Sequence, residues 1–178
     1  MLRPLERDES QQKDQVSAKI YPNQMQAQLL TAQNLDMLIT FEQTARATEP
    51  DVFLSEFDEA SFRAGTLDAL GDHHYASARC LMCVEDSGLV VGRLDFALLP
   101  SFAFGGELRA YVDWVYVLKE FRHRGVARFM FDKVEAYLSG YGITEFFLIA
   151  AQNPEAQRLY HGLQSAEIKQ QDVLTRGF

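Results

Sequence analysis

The chain is poor in cysteine, tryptophan, proline and positive charge, and it holds no long apolar run. Two cysteines among 178 residues cannot build the disulfide framework of a small secreted domain. Both lie in one stretch, "RCLMCVE", as Cys80 and Cys83. No second cysteine pair and no histidines at finger spacing complete a zinc set. On a strand, positions three apart face opposite ways, so the two are read as thiols of a buried strand, with no metal. No segment approaches the ~18 apolar residues of a membrane span, and "MLRPLERDESQQKDQ" is too polar for the core of a signal peptide. The expectation is a cytoplasmic chain. Seventeen basic against 25 acidic residues give a net charge of −8, which disfavours nucleic acid and anionic lipid as partners and is compatible with cationic ligands.

The length suits one globular unit. Residues 1–24 are polar and are read as an N-terminal extension, with the domain over 25–178. "MQAQLLTA" reads as a strand, and "NLDMLITFEQTARAT" as a helix capped at Asn34, with Leu35, Leu38, Ile39 and Ala45 at helical spacing. A second helix is expected over residues 55–70. "ARCLMCVEDSGLVVGRLDFALL" has the form of a hairpin turning at Asp86-Ser87-Gly88. The apolar loop "SFAFGG", read either as lining an acceptor pocket or as packing, leads to the strand "LRAYVDWVYVL". The period then changes from two to 3.6, with Val126, Met130, Val134, Tyr137 and Leu138 on one stripe. "TEFFLIAA" reads as a short strand, "NPEAQRLYHGL" as a helix and "SAEIKQQDVL" as a last strand. No internal repeat or low-complexity tract interrupts this order.

Positive charge gathers in one place, the stretch "EFRHRGVARFMF". There the strand ending near Leu118 passes through Arg122, His123, Arg124 and Gly125 into the helix. A helix start carries unpaired N–H groups and about half a positive charge, and Gly and Ala keep side chains out of an anion's way. Phosphate oxygens fit such a place; so does a plain solvated loop. The stretch lacks the Gly-Lys-Ser/Thr of a Walker A loop and the three glycines of a dinucleotide fingerprint.

Arg-x-x-Gly-x-Ala at the start of a helix, then a strand, then Asn153, Ala156, Leu159 and Tyr160 in Asn-x-x-Ala-x-x-Leu-Tyr, resembles the GNAT superfamily of acyl-CoA-dependent N-acyltransferases. More loosely, the likeness runs from Met25 to the C-terminus. It implies an α/β fold with a central, mostly antiparallel sheet, splayed between its fourth and fifth strands and carrying helices on both faces. It also implies acetyl-CoA as co-substrate, its pyrophosphate on the backbone of Arg124, Gly125, Val126, Ala127 and Arg128, with Arg122 and His123 alongside. The pantetheine arm would pair with the strand at Val115 and Val117, and Asn153 and Ala156 would complete the binding set. Tyr160 would protonate the departing thiolate, which an ordinary phenol ionising near ~10 can do at neutral pH. By its own chemistry Asn153 is a helix cap and Pro154 a favoured first residue.

The reaction also needs a neutral amine, and an alkylammonium of pKa ~10.4 is neutral at roughly one part in a thousand near physiological pH. A base on the strand before the loop offsets that handicap. On a regular strand Tyr111, Asp113, Val115 and Val117 share a face, a parity that a bulge would spoil. Asp113 is the candidate base or amine anchor, ahead of Glu107 and Glu145; its alternative is an ion pair with an arginine. Only fifteen residues follow Leu163, so the sheet either ends early or meets a second copy in a homodimer. Three activities remain open. One is an N-acetyltransferase of a small-molecule amine such as an aminoglycoside or polyamine. The others are a protein N-terminal or lysine acetyltransferase and a silent acyl-CoA-binding module.

Overall fold

The structure is a computed structural model that describes residues 25–53, 55–102 and 106–169. The expected N-terminal extension, residues 1–24, lies outside them. Five strands form one sheet in the order β1 (Met25–Leu29), β2 (Ala78–Glu85), β3 (Val90–Ser101), β4 (Glu107–Val117) and β5 (Phe146–Leu148). The first four are mutually antiparallel, and β5 runs parallel to β4. Two helices precede the hairpin, α1 (Leu35–Thr48) and α2 (Glu59–Gly71); α3 (Val126–Ser139) and α4 (Pro154–Gly162) follow β4 and β5. No helix among the described residues is long and apolar enough to cross a membrane.

Apolar alternation on the strands and helical stripes make two cores, one on each face of the sheet. On one face Val126, Phe129, Met130, Val134 and Leu138 of α3 pack on Leu81, Leu94, Phe96 and Val112. On the other, Leu35, Leu38, Ile39, Phe41 and Ala45 of α1 cover Met82, Val84, Val90 and Tyr116. Cys83 joins the first core and Cys80 borders the second, both as free thiols. Gly92 lets α3 sit close on β3: a Cβ there would lie 2.9 Å from Val126 Cγ1.

The splay is visible in the pairing. Ala110, Tyr111 and Val112 pair with Phe146, Phe147 and Leu148, after which residues 113–117 of β4 continue without β5 beside them. Asp113 interrupts the other edge of the same strand. Asp95 pairs with Trp114 and Phe96 with Val112, so Asp113 is the extra residue of a bulge. Parity therefore inverts: Ala110 and Val112 before it, and Val115 and Val117 after it, all join the α3-side core. This corrects the regular-strand expectation that Tyr111 shares a face with Val115 and Val117, because an unpaired residue shifts the period-two alternation by one.

Other differences are local. Asn34 does not cap α1 with its side chain; Asn34 Oδ1 instead accepts from Thr31 N at 2.8 Å and its Nδ2 donates to Leu29 O. The second helix starts four residues later than expected, at Glu59, where Asp58 Oδ1 accepts from Ser61 N at 2.6 Å. β5 has three residues instead of eight. Residues 166–169 are irregular where a last strand was expected. The remainder of that segment, and residues 103–105 of the apolar loop, lie outside the described residues.

Candidate active site

The loop between β4 and α3 is shaped by two left-handed residues, His123 at φ 61° and Gly125 at φ 82°. Gly125 is the N-cap of α3, and no acidic side chain stands in the first helical turn. Without a capping side chain, the N–H groups of Val126, Ala127 and Arg128 have no partner inside their own helix. The added dipole and the alternating backbone favour an anion there. A Cβ at Gly125 would meet no protein atom within 4 Å, so the approach is open.

Of the basic side chains in this loop, Arg122 turns inward. Its Nε donates to Val117 O at 3.1 Å, its Nη1 and Nη2 donate to Glu49, and its guanidinium lies 5.4 Å from the Tyr116 ring centre. Tyr116 Oη also donates to Glu49, at 2.5 Å. Burial opposes ionisation of Glu49, but the hydrogen bonds from Tyr116 and Arg122 outweigh it and hold the carboxyl below its ordinary range. Burial, reinforced by Glu49, raises the Tyr116 phenol well above its usual value. Arg122 thus ties the end of β4 to the end of α1. His123 and Arg124 stay exposed, with Arg124 stacked 5.3 Å from the Phe121 ring centre. Arg128 Nη2 donates to Gly162 O at 2.6 Å, linking the first turn of α3 to the end of α4.

α4 begins as its sequence dictates. Asn153 Oδ1 accepts from Ala156 N at 2.8 Å and Pro154 occupies the first turn. Tyr160, one turn beyond Ala156, is half-buried and lines an open cleft with Arg128, Tyr111, Phe147, Leu148 and Leu163. Asp113 is exposed and is not among that cleft's walls. Burial first, and then the nearby Asp113 charge, raise the pKa of the Tyr111 phenol. Glu145 lies 3.6 Å from Arg109, and Glu107 is exposed at the start of β4. Asp113 directly follows Val112, the last β4 residue paired with β5, and Tyr160 lies on the helix after β5.

Sequence reasoning missed the ionic layer behind the bulge. Arg93 on β3 donates twice to Asp95, at 2.5 and 3.0 Å, and once to Glu42 of α1, at 2.5 Å. Glu42 is the only buried charged side chain among the described residues. Arg46 stands beside it and covers the Phe53 ring at 4.8 Å. Glu49 was also missed, since nothing local marks the last turn of α1 as a partner of the loop 73 residues onward.

The acetyltransferase (GNAT) family model matches residues 39–163. No curated protein matches the chain significantly. Among solved structures, a ribosomal-protein-alanine N-acetyltransferase from Brucella melitensis biovar Abortus 2308 superimposes with a TM-score of 0.63 and 22% identity, over 86% of this chain and 99% of that one. The aminoglycoside acetyltransferase meta-AAC0020 from an uncultured soil metagenomic sample, in complex with sisomicin, gives 0.72 and 14%, over 88% and 97%. AAC(6')-Iy, an aminoglycoside N-acetyltransferase, in complex with the bisubstrate analogue CoA-S-monomethyl-acetylneamine, gives 0.65 and 17%, over 86% and 98%. At these identities the likeness concerns the fold.

Proposed function

Since the chain belongs to the GNAT family of acetyltransferases, we propose that it transfers the acetyl group of acetyl-CoA to a primary amine of a small molecule by direct attack on the thioester. The observation that carries this reading is the left-handed Gly125 at the mouth of α3, beside a β4 that outruns β5. The residues present fit the co-substrate: unpaired N–H groups of residues 126–128 suit a pyrophosphate, and the backbone of Val115 and Val117, on the stretch of β4 that β5 leaves uncovered, suits an amide-bearing arm. Asn153 and Ala156 set the first turn of α4 and so aim Tyr160. Arg122 holds Val117 O and acts by positioning, while Arg124 and Arg128 supply positive charge around the loop and His123 stands beside them.

Acetyl-CoA supplies an activated acyl carbon as a thioester. Asp113 holds the incoming ammonium or takes its proton, directly or through water, so that the nitrogen lone pair is free to form the C–N bond. Tyr160 gives its phenolic proton to the sulfur as the C–S bond breaks, and regains one from solvent. The products are an N-acetylamine and a free thiol, with protons balanced through Asp113 and water.

A second reading, acetylation of a protein N-terminus, is favoured by the similarity to the ribosomal-protein-alanine enzyme. An acetyl-CoA turnover screen over small amines and alanine-starting peptides, watching free thiol appear, separates the two. Release with peptides alone selects the second reading, and tight acetyl-CoA binding without thiol release leaves a silent binding module. Tyr160→Phe keeps the ring and removes the proton, so kcat should fall roughly a hundredfold with acetyl-CoA affinity unchanged. If the variant turns over every thioester at the parent's rate, Tyr160 is a packing residue.

A further inference from the structure

The sheet face opposite α3 is covered by α1 only in part. Beyond its edge Trp114 is 41% exposed, Phe147 50% and Leu99 37%. The register puts these residues on one side. Tyr111 and Phe147 are paired neighbours with ring centres 5.2 Å apart. Trp114 pairs with Asp95, whose side chain meets Arg93 beneath α1. Phe53, from the segment after α1, stands 6.5 Å from the Trp114 ring and closes that end. Three residues of strand separate Tyr111 from Trp114 by about 10 Å. The exposed bulge residue Asp113 lies between them along the strand. A monomeric surface rarely leaves such aromatic area open beside a carboxylate without a ligand for it.

Several carboxylates of the neighbouring elements are engaged by arginines. Glu42 and Asp95 are committed to Arg93, Glu49 to Arg122, and Glu145 faces Arg109. Glu107 stands six residues before Asp113, about 20 Å away along an extended strand. Along β4 a polycation meets one carboxylate beside a wall of rings, whereas a single ammonium on a flat apolar body meets both its charge and its surface. Rings facing a cation add attraction of their own.

We propose that the acceptor is a singly charged primary amine on a flat apolar body, of the arylalkylamine class, lying on Tyr111, Trp114 and Phe147 with its ammonium at Asp113. This rests on the acetyl-transfer reading above and narrows its substrate.

Trp114 is the only tryptophan of the chain, so intrinsic fluorescence reports on this surface without any turnover. The full chain, saturated with CoA, is titrated with 2-phenylethylamine, spermidine and kanamycin, and the same amines are then offered with acetyl-CoA. The expected result is a saturable change with 2-phenylethylamine, half-complete at a concentration at least tenfold below that of either polycation, and faster acetylation of that amine. A polycation that binds more tightly or is acetylated faster overturns the substrate class while leaving the transferase reading intact. Absence of a saturable signal with 2-phenylethylamine also overturns it. Saturable binding with no acetylation of any amine defeats the transferase reading and leaves the surface assignment standing. Phe147→Ala, at a half-exposed position that removes no core contact from α3, should weaken 2-phenylethylamine at least fivefold without changing acetyl-CoA affinity. Unchanged half-saturation in that variant refutes the role given to this face.

Discussion

Replacing Gly125 tests the phosphate loop in two separable ways. At φ 82° and ψ 3° an L-residue with a Cβ costs about 1–2 kcal/mol, whereas alanine also restricts the unfolded chain, which returns about 0.4–1 kcal/mol. No clash adds to this, because a Cβ there meets nothing within 4 Å. Gly125→Ala should therefore lose about 1 kcal/mol, a fall in Tm of about 2–4 °C for a chain of this size. Urea denaturation should show a lower midpoint at an unchanged slope. Gly125→Asn should lose less, since asparagine tolerates the left-handed region. Gly125→Glu should unfold like the alanine variant but bind acetyl-CoA at least tenfold more weakly, about 1.4 kcal/mol, as read by titration calorimetry. An alanine variant as stable as the parent would refute the conformational argument. A folded glutamate variant with the parent's affinity would remove the phosphate site from this loop.

Gly92→Ala places a methyl 2.9 Å from Val126 Cγ1 and 3.0 Å from Met130 Cε, and overpacking of this kind should cost about 1–3 kcal/mol in urea denaturation; a neutral variant would mean that α3 can retreat from β3 freely. Glu49 has its folded pKa lowered, so its ionic contribution is present above the unfolded value of ~4.3 and is lost as pH falls through the folded one. Glu49→Gln should accordingly be less stable than the parent at pH 7, with the deficit shrinking as denaturation is measured at successively lower pH. A deficit that is constant with pH would assign its cause to packing. Burial pushes the Cys83 thiol up to about 12 and raises Cys80 well above its usual value. A disulfide reagent at pH 8 should therefore label neither while the chain is folded and both in urea, and rapid labelling of Cys83 would contradict its place in the core.

What the sequence disclosed depended on how local each signal was. α3 was legible because its apolar stripe repeats over fourteen residues and opens on a glycine, and α4 because Asn153 and Pro154 write a helix start into adjacent letters. The hairpin of β2 and β3 was legible from the turn-forming residues between two apolar runs. The bulge at Asp113 was not, since nothing within "AYVDWVYV" distinguishes a regular strand from one that gains a residue; only the partner strand fixes it. β5 read as longer than it is because an apolar run states that a segment is buried without stating how much of it has a neighbour to pair with. Arg122 looked like a phosphate ligand by position, and its partner Glu49 lies too far along the chain for any local pattern to join them. The aromatic face was hidden for the same reason: Trp114 and Phe147 come onto one sheet face only through the parallel pairing of β4 with β5.

The one-residue bulge gives β4 the character of a reading frame shifted at a single letter. Before Asp113 the even-numbered residues look toward α3, and after it the odd-numbered ones do. Side chains at 111 and 114 can therefore be exchanged without disturbing the inward-facing Val115 and Val117. On the proposed reading, substitutions on one face of β4 would alter the acceptor surface and leave the other face as it is. Deleting one residue from this strand would couple the two faces again, and a laboratory search for new acceptors would do best to vary positions 111 and 114 at constant strand length.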